Sequence, residues 1–180
     1  MGITNFSRGE VDSNNCTGNL FGNWGLYYDI VGGALPTDNL RNAVDYLDNN
    51  KDDLIVLLSA KDEASNSLTE EMIQTMQSPG LEFDLANHYR WSYLAVIDSG
   101  NVVYEDMSDN KLEQETEIAG NKIDMQSAGY ETGNIASIKI NGLEYALNKR
   151  GINIVVYDKQ ANRVIDSVRI DTYIGDELTR

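Results

Sequence analysis

His88 is the only histidine in this 180-residue chain. No Asp, Glu or Cys stands at metal-ligand spacing around it, so it reads as a surface or capping residue rather than a metal ligand. The chain has no glycine-rich phosphate loop, no Gly-x-Ser-x-Gly elbow and no second histidine for a nucleophilic relay, so hydrolases and kinases lack their parts. Two carboxylates remain in a suggestive place. Asp62 and Glu63 follow the apolar run Leu54 to Ala60, and open sheets often hold ligands beyond the ends of such strands. Adjacent residues on an extended chain point to opposite faces, so the two do not form a general acid/base pair by themselves. The expectation is a protein that binds and does not catalyse, with no metal and no cofactor.

Composition narrows the partners. The chain carries 29 acidic and 14 basic residues, a formal charge of −15, which opposes the phosphate neutralisation that supplies most nucleic-acid affinity. DNA and RNA are discounted. A single cysteine, Cys16, excludes an internal disulfide framework and a Cys-rich metal site. The longest apolar run, Leu54 to Leu58, is far too short to span a bilayer, and no N-terminal stretch has the regions of a secretory signal.

The elements that would position Asp62 and Glu63 follow from periodicity. Residues 1–37 are rich in Gly and Asn around the aromatic cluster Phe21, Trp24, Tyr27 and Tyr28; glycines so spaced do not suit a helix, and the segment reads as an arm. It packs on its own domain or offers an aromatic surface to a sugar or a second copy of the chain. Leu40, Ala43, Val44 and Leu47 recur on one face, predicting a helix over 39–49 capped by Asp38. Leu54 to Leu58 is a continuous apolar run of strand length, as expected when both faces are covered, and the strand 54–60 is expected to be central. Ser67 is expected to cap a second helix over 68–77, ended by Pro79-Gly80. Residues 93–98 and 102–105 flank Asp98-Ser-Gly-Asn101 as a hairpin.

Residues 105–133 are acidic and lack sustained periodicity, so they read as a linker. Ala136, Ile138 and Ile140 then alternate with polar residues up to Asn141-Gly142, the preferred dipeptide of a type I′ hairpin. With 143–146, 151–157 and 164–173 this makes a four-strand meander over 134–173, followed by a tail at 174–180. The fold class expected is mixed α/β: a β-rich sheet, built from the meander and strand 54–60, covered by two helices. One domain spans 38–180, its helix-strand-helix-hairpin block at 38–104 joined through the linker to the meander.

Three separated motifs carry a resemblance: Arg150-Gly151-Ile152-Asn153 with Asp171-Thr172-Tyr173, Lys61-Asp62-Glu63-Ala64-Ser65, and Arg90-Trp91-Ser92-Tyr93. In type and internal spacing they resemble the interleukin-like EMT inducer (PANDER-like) family over roughly residues 38 to 173. In that family the Arg-Gly-Ile-Asn strands open the domain, whereas here they come last. The resemblance therefore implies a circular permutation, or an exchange of the tail with a neighbouring protomer.

The resemblance also implies a site. A related glycosyltransferase stem domain binds sugar through arginines and an aspartate in these motifs, which correspond here to Arg150, Asp62 and Arg90. A carboxylate accepts from sugar hydroxyls while guanidinium groups donate to ring or carbonyl oxygens. Trp91, where the family has an acidic residue, would add a stacking face or block the pocket, and Glu63 adjoins. The same residues could equally form an ion network that pins three chain segments together. The expected function is a non-catalytic recognition module for a glycan or protein surface. The alternative is a component of a phage tail fibre or other virion, oligomeric through residues 1–37; a secreted, cytokine-like signal is third. An extracellular or virion-surface location is favoured.

Overall fold

Strand β1 (Leu54–Asp62) is buried on both faces over its apolar length, and the rest of the molecule is arranged to cover it. A computed structural model describes residues 51–175 and 177–179. After a 3-10 turn at Lys51–Asp53 and β1, helix α1 (Glu70–Gln77) is followed by β2 (Ser92–Asp98), β3 (Asn101–Ser108), β4 (Leu112–Ile118) and β5 (Asn121–Gly129). Then come β6 (Ile135–Ile140), β7 (Leu143–Glu144), β8 (Gly151–Asp158), β9 (Arg163–Asp171) and β10 (Glu177–Thr179).

The strands run in the order β10-β9-β8-β1-β5-β6-β7, with β2 and then β3 branching from β1, and β4 pairing β5. The branch is what curls the sheet. One edge of β1 pairs β8 antiparallel, from Leu54↔Asp158 to Lys61↔Gly151. Its other edge pairs β2 antiparallel from Ile55 to Ser59 and then, at Lys61 and Asp62 only, pairs β5 in parallel. Side-chain hydroxyls replace the ladder where the neighbour changes: Ser127 Oγ donates to the Ala60 carbonyl at 2.6 Å and accepts from the Tyr93 N–H at 2.9 Å. Ser59 Oγ donates to the Gln126 carbonyl at 2.7 Å. Both serines are fully buried, where an unpaired backbone group would cost about 1–3 kcal/mol.

Alternate residues of β1 therefore serve two cores. Leu54, Val56, Leu58 and Ala60 meet Met72 and Met76 of α1 and the inward residues Leu81, Phe83 and Leu85 of the segment that follows it. Ile55 and Leu57 meet Ile123 and Met125 of β5, Ile138 and Ile140 of β6, and Val155 and Tyr157 of β8.

The expected strands at 54–60 and 151–157 are present, the one expected at 164–173 runs from Arg163 to Asp171, and the two hairpins form. Ser99 and Gly100 (φ 51° and 72°) turn β2 into β3, and Asn141 and Gly142 (φ 53° and 82°) turn β6 into β7. Three expectations change. Residues 105–133 are not a linker: they hold the end of β3 and all of β4 and β5. Inward positions of β4 are filled by Gln114 and Thr116 as well as Leu112 and Ile118, between outward Glu113, Glu115 and Glu117, so the period-2 signal is weak. Its turn is Ala119-Gly120 (φ 50° and 75°), without the usual Asn or Asp.

The tail is not one meander. β6 and β7 lie on the β5 side of β1, while β8 and β9 lie on the other side. A strand apolar on both faces needs a central place, and β8 takes it beside β1. Finally, the second helix starts later than expected, at Glu70, with Thr69 as N-cap accepting from the Met72 N–H at 3.2 Å. Ser67 is engaged elsewhere: its N–H donates to the Thr172 carbonyl and its hydroxyl to the Tyr173 carbonyl at 2.7 Å. Only α1 is present among the described residues; the helix expected over 39–49 and the arm at 1–37 lie outside them. No helix among the described residues is long and apolar enough to cross a membrane.

Candidate functional site

β1 ends where two arginines approach from its two sides. At Lys61 the strand faces Gly151 of β8 on one edge and Ala128 of β5 on the other, and Asp62 pairs with Gly129. Arg150 precedes Gly151. Arg90 lies against Gly129 so closely that a Cβ there would stand 1.7 Å from the Arg90 carbonyl oxygen, which admits only glycine. Gly151 has the same necessity, with φ 95° and the Ile170 carbonyl 2.2 Å from any added Cβ. These approaches bring Asp62, Arg90 and Arg150 to one end of the sheet.

Asp62 itself is half-exposed and adopts φ 63°, as Arg90 adopts φ 60°. Left-handed conformations at non-glycine residues carry strain, and such strain gathers at functional sites. The Asp62 carbonyl accepts from the Tyr130 N–H at 3.2 Å. Among the described residues no side chain or backbone group hydrogen-bonds its carboxylate. Its charge is nonetheless felt on both sides, helping to raise the Arg90 and Arg150 guanidinium groups.

Each arginine is anchored by another carboxylate. Arg150 grips Asp171 through two bonds, Nε to Oδ1 at 3.2 Å and Nη2 to Oδ2 at 2.9 Å, and lies 4.3 Å from the centroid of the Tyr173 ring. The Asp171 bond is the largest cause of its raised pKa; desolvation opposes it, and the charges of Asp171, Asp62 and Tyr173 add to it. Asp171 is 3% exposed and also holds Arg169, at 3.0 Å. Arg90 pairs with Glu131 and lies 4.8 and 4.5 Å from the ring centroids of Tyr89 and Tyr130. Desolvation works to lower its pKa, but the hydrogen bond and charge of Glu131, with Tyr89 and Asp62, leave it raised.

Glu63 is buried, and both its oxygens are engaged. Oε1 accepts from the Ser65 N–H and hydroxyl, and Oε2 accepts from the Arg90 N–H at 2.8 Å. It therefore fixes the backbone of Arg90 to the end of β1. Trp91 packs partly buried against the core that holds Met72 and Phe83, its ring 4.3 Å from that of His88. The aromatic surface lies instead at Tyr89 and Tyr130, 59% and 55% exposed. His88 Nδ1 sits 3.1 Å from the Ala86 carbonyl. Among the described residues no group of His, Cys, Asp and Glu could hold a metal ion.

The structure thus brings Asp62, Arg90 and Arg150 together, with Glu63 behind them and Trp91 turned toward the core. Sequence reasoning missed Tyr89, Tyr130, Glu131 and Arg169 altogether. It used Asp171 and Tyr173 only as motif markers. Tyr130 and Glu131 fell in the supposed linker, and an ion pair between residues 90 and 131 leaves no local pattern.

Fold and site together define a β-rich α/β domain whose central strand ends in an open cluster of ion pairs and tyrosines. The model of the family described as Interleukin-like EMT inducer matches residues 12–101, half of the chain. The chain belongs to that family of cytokine-like domains. The match takes in β1, α1 and β2 and ends at the first residue of β3. No curated protein and no solved structure matched the chain.

Proposed function

We propose that this chain is a non-catalytic, extracellular recognition domain that binds a glycan at the end of β1. Asp62 accepts from sugar hydroxyls, and the unused N–H groups of Arg90 and Arg150 donate to sugar oxygens. The observation that carries this reading is the Asp62 carboxylate, which lies within electrostatic reach of both guanidinium groups while no described residue hydrogen-bonds it. The ion-network alternative would have Asp62 pin the two arginine segments. Glu131, Asp171 and Glu63 already do that, leaving Asp62 open to a ligand. The exposed rings of Tyr89 and Tyr130 add apolar faces of the kind sugars stack upon. The virion reading drew on acidity, the order of the motifs and the arm at residues 1–37; its oligomeric contact falls on that arm, outside the described residues, and it is not carried further.

The test is a glycan array with the full chain and with Asp62→Asn. Asparagine tolerates the left-handed backbone of position 62, so stability should hold while affinity for any glycan bound by the wild type falls about tenfold or more. A wild-type chain that binds nothing, or an Asp62→Asn variant that binds as well, ends the proposal.

The circular permutation belongs to the same reading. What supports it is the pairing of β8 with β1 and the bonds from Asn66 and Ser67 to the Tyr173 carbonyl; the family match, over residues 12–101, does not extend to the late motif.

A further inference from the structure

We propose that the groove beside the edge of β3 left unpaired among the described residues docks an extended, basic peptide segment of another protein. This surface is distinct from the end of β1. β3 hydrogen-bonds to β2 along one edge, and no described strand pairs with its other edge. Next to it lies a cavity of about 700 Å³ between β3 and the start of the 81–85 segment. Its apolar floor is Phe83, Tyr93, Val102 and Met107, with Phe83 and Tyr93 in edge-to-face contact at 5.1 Å. Its rim carries Glu82, Asp84, Glu105 and Asp106 and no lysine or arginine.

Each part of the groove selects a property of the occupant. An unpaired strand edge offers backbone donors and acceptors that an added strand satisfies; on β3 the Met107 N–H is already held by Asp106 Oδ1 at 2.8 Å, and the remaining groups are those an added strand would meet. Alternate side chains of such a strand fall on one face, so every second residue enters the groove and meets the apolar floor. The acidic rim supplies the sign. Glu105 holds the wall, accepting from the Tyr93 hydroxyl at 2.6 Å and from the Glu82 N–H at 2.7 Å. The exposed carboxylates of Glu82 and Asp84 face solvent and are placed to meet lysine or arginine. A second copy of this chain would bring −15 of its own charge against the same rim. The acids that deter self-pairing at this edge thus admit a cationic strand.

The experiment is an amide-shift titration of the full chain with a short peptide alternating lysine and valine. The control peptide has proline in place of each valine, keeping the charge and removing those backbone donors. The expected result is a shift of amides in 80–84 and 101–108, with the proline peptide weaker by about tenfold. The exposed double variant Glu82→Gln/Asp84→Asn should also lose about tenfold in affinity. The proposal is overturned if neither peptide binds, or if shifts scatter outside these segments. It is equally overturned if the proline peptide binds as tightly or the double variant binds unchanged, since the attraction would then be that of any cation for an acidic chain.

Discussion

Arg90 and Arg150 flank the same aspartate, stack on tyrosine and hold a carboxylate each, yet they are built differently. Arg150 is locked into the sheet: Asp171 is 3% exposed, shared with Arg169, and sits at the end of β9. Arg90 rests on a loop against Glu131, which is 60% exposed. A buried carboxylate between two guanidinium groups cannot be removed without stranding charge, whereas an exposed pair contributes little and is screened by salt. The carboxylate that holds Arg150 therefore belongs to the frame of the molecule, and the one that holds Arg90 to its surface. At the proposed glycan site the Arg90 side chain would then be the more easily re-aimed of the two donors.

That contrast can be broken by substitution. Asp171→Asn should give the largest effect, a loss of about 3 kcal/mol in urea unfolding, because Arg150 and Arg169 lose their shared counter-charge. Glu63→Gln should follow at about 2 kcal/mol: an amide brings only one acceptor to the Ser65 and Arg90 N–H groups that the carboxylate now serves. Glu131→Gln should cost under about 1 kcal/mol, and the cost should vanish in high salt. Equal losses for Glu131→Gln and Asp171→Asn would erase the distinction between the two arginines.

How much of this was legible depended on where the information lay. The run Leu54 to Leu58 and the apolar strand from Ile152 to Val156 announced buried strands, and Asn141-Gly142 announced its turn, because each signal is local. β4 and β5 were hidden because Gln114, Thr116 and Ser127 occupy inward positions, and Ser127 is there to hydrogen-bond Ala60 and Tyr93 across the molecule. With those strands hidden, so was the layer that covers the second face of β1. Ser67 was expected as the helix cap, and that Thr69 takes the role instead follows from long-range bonds by which Ser67 is claimed by Thr172 and Tyr173. Asp62, Arg90 and Arg150 came from motif resemblance. Their carboxylate partners at 131 and 171 could emerge only once the chain was folded, since both pairs span distant segments.

The serine hydroxyls where β1 changes neighbours also tie together the strands that carry the two arginines. Arg90 is seated against β5 at Gly129, and Arg150 leads into β8. Ser127 bonds β5 to both β1 and β2, so the spacing of the two guanidinium groups across Asp62 depends on two hydroxyls buried far from solvent.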